Sequence, residues 1–473
     1  GSRGSREATP ARRPLPLPRA RPHPRLPPPR RPPPRAAPGH HRHPGLHRAH
    51  PRFHLPPAHQ PSYPPPRAAV RARGPRPAAR RRLPRRPPRP PVHHLLPGVR
   101  VPPPRLRRVR LRHTVPGLHR RRRLLRLDGG RHARARAFHA VFLTGGAFGF
   151  AVFFSVWEHL PHTLAAGDEL PLPDFPTVVL HRTQIPRYIL AATGSDPWTA
   201  FFRRVISLCR KTDAVLVNTV QELESSGLDM LRRTFGVRPW AIGPILAAPT
   251  TPSASQDDAS IIRWLDVHPP CSVLYISFGS QNSINADQMI ELARGLEASG
   301  RPFLWALRPP LGLDAKDGFK PEWLPAGFEE RTAVANRGLL VRGWAPQVLI
   351  LAHPSTGAFM SHCGWNSILE SLCHGVPVIG WPLGAEQFFN AMLVVEWGVC
   401  VEVARGNMES SVVAMGAVTD AVGTVMGETE KGGEMRRNAG VIARAMAAAW
   451  EGPRGSSAVS LEGFLGCVET SVR

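Results

Sequence analysis

His362, Asn366, Ser367 and Glu370, followed by Glu386 and Gln387, crowd polar and acidic side chains into one short stretch between apolar runs. The run Gly357 to Ser361 (GAFMS) is short and apolar, as a buried parallel strand requires. It ends at His362. The turn Cys363, Gly364, Trp365, Asn366 and Ser367 then precedes a helical pattern at Ile368, Leu369 and Leu372. A strand feeding a polar turn and then a helix gathers free backbone N–H groups and a positive dipole end at one point, which suits a pyrophosphate. A second apolar run, Val376 to Trp381, leads to the pair Glu386 and Gln387. Both loops fall at strand carboxyl ends, where doubly wound α/β sheets take their ligands. The chemistry implied is the holding of an anionic leaving group. Taken singly, Trp344, Trp365 and Trp381 read as well as core aromatics, and Glu370 as a solvated helix face; it is the constellation that favours a site.

Strands and helices to carry these residues alternate through the second half of the chain. Val273 to Phe278 (VLYISF) reads as a buried strand, with Gly279 and Ser280 opening a loop. Asn285 is a candidate N-cap, ahead of Met289, Leu292, Ala293 and Leu296 at helical spacing. Further strands are expected at Phe303–Leu307, Leu339–Val341, Gly357–Ser361, Val376–Trp381 and Val399–Val403, a spacing that fits βαβ units. A helix is expected over Glu434–Trp450, packing back across the domains. In the first half, Asp213 to Glu224 (DAVLVNTVQELE) reads as a buried strand followed by a helix. Trp240 to Pro244 closes that half, and Thr250 to Asp258, rich in Thr, Ser and Asp, reads as an interdomain linker. The nearly uncharged run Ala137 to Trp157 has the length of a membrane span, but its glycines and the polar residues at its ends favour a buried strand and helix.

Trp344 to Gln387 as a whole (WAPQVLILAHPSTGAFMSHCGWNSILESLCHGVPVIGWPLGAEQ) resembles the donor-binding signature of plant-type UDP-sugar glycosyltransferases, family 1. The resemblance runs from Phe138 to the C-terminus and includes Leu172 to Pro176 (LPDFP) and Ser277 to Ser280 (SFGS). It implies the GT-B fold, two Rossmann-like domains: the remainder of an acceptor-binding domain over 138–248, a linker over 249–260, a UDP-sugar domain over 261–450, and a segment over 451–473 that packs back across both. It implies that Trp344 stacks on uracil, with Ala345 beside it and Gln347 at the uracil edge. Glu370 would grip the ribose hydroxyls. His362, Asn366, Ser367 and Ser280 would approach the diphosphate, and Trp365, Glu386 and Gln387 would face the sugar. Glu386 stands where the family often has Asp; the final Gln387 implies glucose.

Sugar transfer with inversion needs a stabilised leaving diphosphate and a general base near the acceptor. No D-x-D pair occurs, so no metal or cofactor is expected beyond the UDP-sugar co-substrate. The cysteines and histidines around the signature fit no common zinc spacing. The resemblance puts the base, a His, and its orienting Asp within residues 1–137. His40, in a Gly-His pair without flanking apolar elements, and Asp128, in LLRLDGG, are the candidates there, and neither has the family's setting. The catalytic residues are therefore unassigned, and the acceptor is expected to be a small lipophilic molecule.

Charge divides the chain. Residues 1–137 hold 37 Arg and no Lys, against Glu7 and Asp128 alone, whereas the remainder is mildly acidic; the net +28 of the 473 residues is thus local. Such an Arg/Pro-rich segment cannot bury enough surface to offset chain entropy. It reads as an RNA- or polyanion-binding arm, as a proline-rich adaptor ligand, or, the reading favoured by its GC-rich-codon vocabulary, as the product of a frame error. Accordingly no specific nucleic-acid partner is expected. Six scattered cysteines without a C-x-x-C pair, and no apolar signal-peptide core, suggest a cytoplasmic, monomeric enzyme. The rival classes are a non-catalytic UDP-sugar-binding protein and an Arg-rich polyanion binder.

Overall fold

The computed structural model describes residues 111–114, 138–246, 256–280, 283–311, 319–403 and 413–472, all within one compact unit, Arg89–Arg473. The first half contributes β1 (Leu111–Thr114), β2 (Ala140–Leu143), an antiparallel pair β3 (Glu169–Pro171) and β4 (Val179–His181), then β5 (Ala214–Val217) and β6 (Pro239–Ala241). Its parallel sheet runs β1-β2-β5-β6. The second half contributes β7 (Val273–Ser277), β8 (Phe303–Ala306), β9 (Gly338–Val341), β10 (Thr356–Ser361), β11 (Val378–Gly380) and β12 (Cys400–Glu402). These form one parallel sheet in the order β12-β11-β10-β7-β8-β9. The chain leaves β7 in one direction across the sheet and returns beside it at β10. The crevice between the ends of β7 and β10 is therefore the topological switch point, where open α/β sheets take ligands.

The strands of the second sheet lie where the apolar runs predict. β7 and β10 are buried at every residue, because helices cover both faces of a parallel sheet. Asn285 caps the helix Ala286–Ser299, its side chain accepting from the Gln288 N–H at 2.8 Å, and Met289, Leu292, Ala293 and Leu296 are buried along it.

The uncharged run of the first half becomes β2 and the helix Ala147–His159, buried from Ala147 to Trp157. A helix apolar all round needs cover on every side. It shares one buried cluster with Val141, Val215 and Val217 of its own sheet and packs against the helix Gln387–Glu396 from the second half, whose Phe388 and Phe389 belong to the same cluster, so the two halves share one core. Gly149 permits that approach, since a Cβ there would collide with the Asn390 side chain. Among the described residues no helix is long and apolar enough to cross a membrane.

Four expectations change. Leu111–Thr114 forms a strand paired with β2, although no element is expected before Phe138; residues 1–110 and 115–137, with His40 and Asp128, lie outside the described residues. Of the linker expected over 249–260, residues 249–255 lie outside the described residues and the rest opens the helix Gln256–Asp266. After β5 the helix begins only at Ser225. The intervening turn brings Glu224 to the N-terminus of the helix Ala147–His159, where Gly146 offers no capping side chain. The buried Glu224 carboxylate accepts from the Ala147 N–H (3.0 Å), the Phe148 N–H (2.9 Å) and the Thr219 hydroxyl. Finally, the helix expected over Glu434–Trp450 spans Glu430–Ala448 and packs against Trp365–Cys373 of its own half. It is Ser456–Val472 that returns to the first sheet, with Phe464 and Val468 beside Ala140 and Trp240.

Candidate active site

At the end of β10 the chain turns sharply. Cys363 takes a left-handed conformation (φ 60°), Gly364 precedes the helix Trp365–Cys373, and no side chain caps that helix. Its first N–H groups and the positive end of its dipole therefore face the crevice, a ready seat for an anion. His362 stands beside them. Its ring is held between Gly279, at the end of β7, and Gly364, where added Cβ atoms would lie 2.7 and 2.5 Å from Nε2. Gly279, at φ +79°, thus serves both the turn and the close approach. Burial lowers the His362 pKa to about 4, so the imidazole is neutral at pH 7, and its buried Nδ1 has no protein partner. Ser280 is exposed one residue further along the β7 loop.

On one side of this turn lies a polar cluster. Gln347 opens the short helix Gln347–Leu351. Its Nε2 donates to Ser367 Oγ (3.0 Å) and to Glu370 Oε2 (2.7 Å), and its Oε1 accepts from the Tyr275 hydroxyl (3.2 Å). Burial raises the pKa of Glu370, opposed by the Gln347 bond. Gln347 was expected at the uracil edge, but its side-chain amide is committed inward, because Tyr275 and Glu370 satisfy both of its ends. Ala345 is half-buried, and Trp344 is 80% exposed, an aromatic face left open to solvent.

On the other side, the loop after β11 carries Glu386 and Gln387. Gln387 Oε1 accepts from the N–H groups of Leu383 (3.0 Å) and Gly384 (2.9 Å). This fixes the amide and turns its NH2 group away from the loop. Burial also raises the pKa of Glu386. The Tyr188 hydroxyl, from the first half, accepts from the Ala385 N–H at 3.1 Å. The Asn390 Nδ2 donates to the Cys363 carbonyl at 3.1 Å, tying this loop's helix to the anion turn.

Trp365 departs from expectation. Its indole is 2% exposed and stacks on Gly146. Its Nε1–H donates to the Asn218 carbonyl at 2.7 Å, so the side chain joins the two halves and only the backbone of Trp365 faces the crevice. Asn366 is exposed at the turn, and Ser367 is buried. The structure thus gathers His362, Asn366, Ser367, Glu370, Gln347, Glu386, Gln387 and Ser280 about the switch point. Asn218, Tyr188 and Asn390 are additions that no sequence signal marked, since each acts by tertiary placement alone. The crevice can hold a diphosphate against N–H groups and a neutral imidazole, with carboxylates on either side for hydroxyl groups.

Known proteins are similar to this chain in sequence and fold. Residues 204–431 match the family model described as UDP-glucoronosyl and UDP-glucosyl transferase. UDP-glycosyltransferase 92A1 of Arabidopsis thaliana is 44% identical over 336 residues, covering 69% of this chain and 68% of that protein. Crocetin glucosyltransferase 3 of Crocus sativus is 45% identical over 295 residues, 58% of this chain and 60% of its own length. The crystal structure of a UGT transferase from Siraitia grosvenorii in complex with UDP superposes with a TM-score of 0.63 at 34% identity, covering 72% of this chain and 79% of that one. Two halves built on parallel sheets, the anion turn at the switch point of the second and this likeness lead to one conclusion: the chain belongs to the plant family 1 UDP-dependent glycosyltransferases, enzymes of the GT-B fold.

Proposed function

We propose that the crevice binds a UDP-hexose, glucose being the sugar, for inverting transfer to a small lipophilic acceptor in the cytoplasm, by a monomer that uses no metal. The observation that supports this reading is the convergence at one switch point of an uncapped helix N-terminus, a neutral, half-buried histidine and the Glu370 carboxylate, beside the exposed face of Trp344. The Siraitia relative was solved with UDP, and the Crocus relative is named for crocetin. In the reaction the acceptor oxygen bonds to the anomeric carbon as the bond to the diphosphate oxygen breaks. Trp344 would hold the base and Glu370 the ribose. His362, Asn366 and the first N–H groups of the helix Trp365–Cys373 would take up the charge of the departing UDP. Glu386 and the NH2 group of Gln387 would hold the sugar hydroxyls.

The acceptor's proton must go to a general base. By the family pattern that base and its orienting carboxylate fall in residues 1–137, where His40 and Asp128 stand in no matching context. We therefore propose that the chain binds its donor but transfers sugar weakly. The test is the full chain with UDP-glucose and a panel of phenolic and terpenoid acceptors, beside calorimetry with UDP. UDP binding with slow transfer is expected. Robust transfer abolished by His40→Ala would place the base there and refute the weak-transfer reading; no binding of UDP would refute the donor site.

A further inference from the structure

Asn218 lies just beyond β5 in the first half, buried at 3% exposure. Its side chain meets both backbone groups of Ile245, where the chain leaves that half. The Ile245 N–H donates to Asn218 Oδ1 at 2.7 Å, and Asn218 Nδ2 donates to the Ile245 carbonyl at 3.2 Å. Backbone groups cannot exchange roles, so this pair decides which end of the Asn218 amide is oxygen and which is nitrogen. Nδ2 also lies 3.5 Å from Asn366 Oδ1, the outer limit of a hydrogen bond, so Asn366 is within reach of its second hydrogen. The backbone of Asn218 is itself held by the Trp365 indole at 2.7 Å.

We propose that Asn218 is a positioning residue that sets the polarity of Asn366, so that the Asn366 carboxamide turns its oxygen inward to Asn218 and its NH2 group outward to the donor's diphosphate. The inference rests on the donor-site reading above. Asn218 touches no substrate; it acts through Asn366. An isolated exposed asparagine presents either end with equal ease, and its carbonyl end would repel a phosphate oxygen. The relay from Ile245 through Asn218 removes that alternative before the donor arrives, which is preorganisation by fixed dipoles. It also makes the phosphate contact depend on the first half, although every residue of the anion turn belongs to the second.

Asn218→Asp is the informative substitution, being nearly isosteric. Its first oxygen still accepts from the Ile245 N–H. Its second would face the Ile245 carbonyl and Asn366 Oδ1, and Asn366 relieves the conflict by turning its NH2 group inward and its oxygen towards the diphosphate. Calorimetry of the full chain with UDP and with uridine reads the effect. In N218D, UDP should bind roughly 10- to 100-fold more weakly, the scale of a lost hydrogen bond to a charged group, with uridine affinity nearly unchanged. In an Asn366→Ala background, Asn218→Asp should cost nothing further. Asn218→Ser, which frees Asn366 without inverting it, should give a smaller loss that is also erased by Asn366→Ala. Equal weakening of UDP and uridine would make Asn218 a merely structural residue. A loss that persists in the Asn366→Ala background would make it a charge effect. Either outcome overturns the proposal while UDP binding by the wild type upholds the site; failure of the wild type to bind UDP would sink both.

Discussion

Trp344 and Trp365 stand 21 positions apart in one signature, yet their surroundings assign them opposite work, and two substitutions separate it. The Trp365 indole is buried between the two halves, and its N–H satisfies the Asn218 carbonyl. Trp365→Phe leaves that buried acceptor without a donor, at a cost of about 1–3 kcal/mol. It also opens a small void against Gly146, bringing the total to about 2–4 kcal/mol. Trp344 is 80% exposed, so Trp344→Ala should leave stability within about 0.5 kcal/mol. The affinities should move the other way. Loss of the stacking face should weaken UDP by about 1–3 kcal/mol, the scale of base–aromatic stacking, whereas Trp365→Phe should change UDP affinity several-fold less. Urea melts and UDP calorimetry on both variants make a two-by-two comparison. A Trp344→Ala protein with undiminished UDP affinity, or a Trp365→Phe protein that melts like the wild type, would refute the division of labour.

Gly279→Ala should weaken both folding and UDP binding, because the new Cβ sits in left-handed backbone and 2.7 Å from the His362 ring; about 1–2 kcal/mol of stability is at stake, and thermal melts with and without UDP measure both losses. Glu224→Ala should unfold the protein at lower urea by about 3 kcal/mol, since it strands two buried N–H groups, while Glu224→Gln, which keeps an acceptor, should lose less. The His362 pKa is about 4 when folded against 6.5 for the free side chain. The unfolded chain therefore takes up that proton first, and the contribution of His362 is full above about pH 6.5 and declines as pH falls towards about 4, by up to roughly 3 kcal/mol. The raised carboxyls Glu370 and Glu386 act in the opposite sense, so the measurable quantity is the stability difference between wild type and His362→Asn across that window. A flat difference would mean that His362 is not desolvated.

The features legible along the chain are periodic or local. Each apolar run from Val273 to Val403 became a strand of the second sheet, because a strand buried on both faces leaves an uninterrupted apolar signature. The anion turn was legible for the same reason: strand, glycine-containing turn and helix are contiguous, so the chain's own order builds the uncapped N-terminus beside His362. Even Ala137 to Trp157 was readable as strand and helix rather than a span. Packing settles where side chains with several possible partners find them. Trp365 reads as a ligand contact until Asn218 is seen to take its N–H. Gln347 reads as a base contact until Tyr275 and Glu370, 72 and 23 residues away, occupy its amide. Glu224 reads as one more helical glutamate until it caps a helix 77 residues earlier in the chain. Hydrogen-bond polarity is a property of pairs brought together by packing, and no spacing along the chain encodes it.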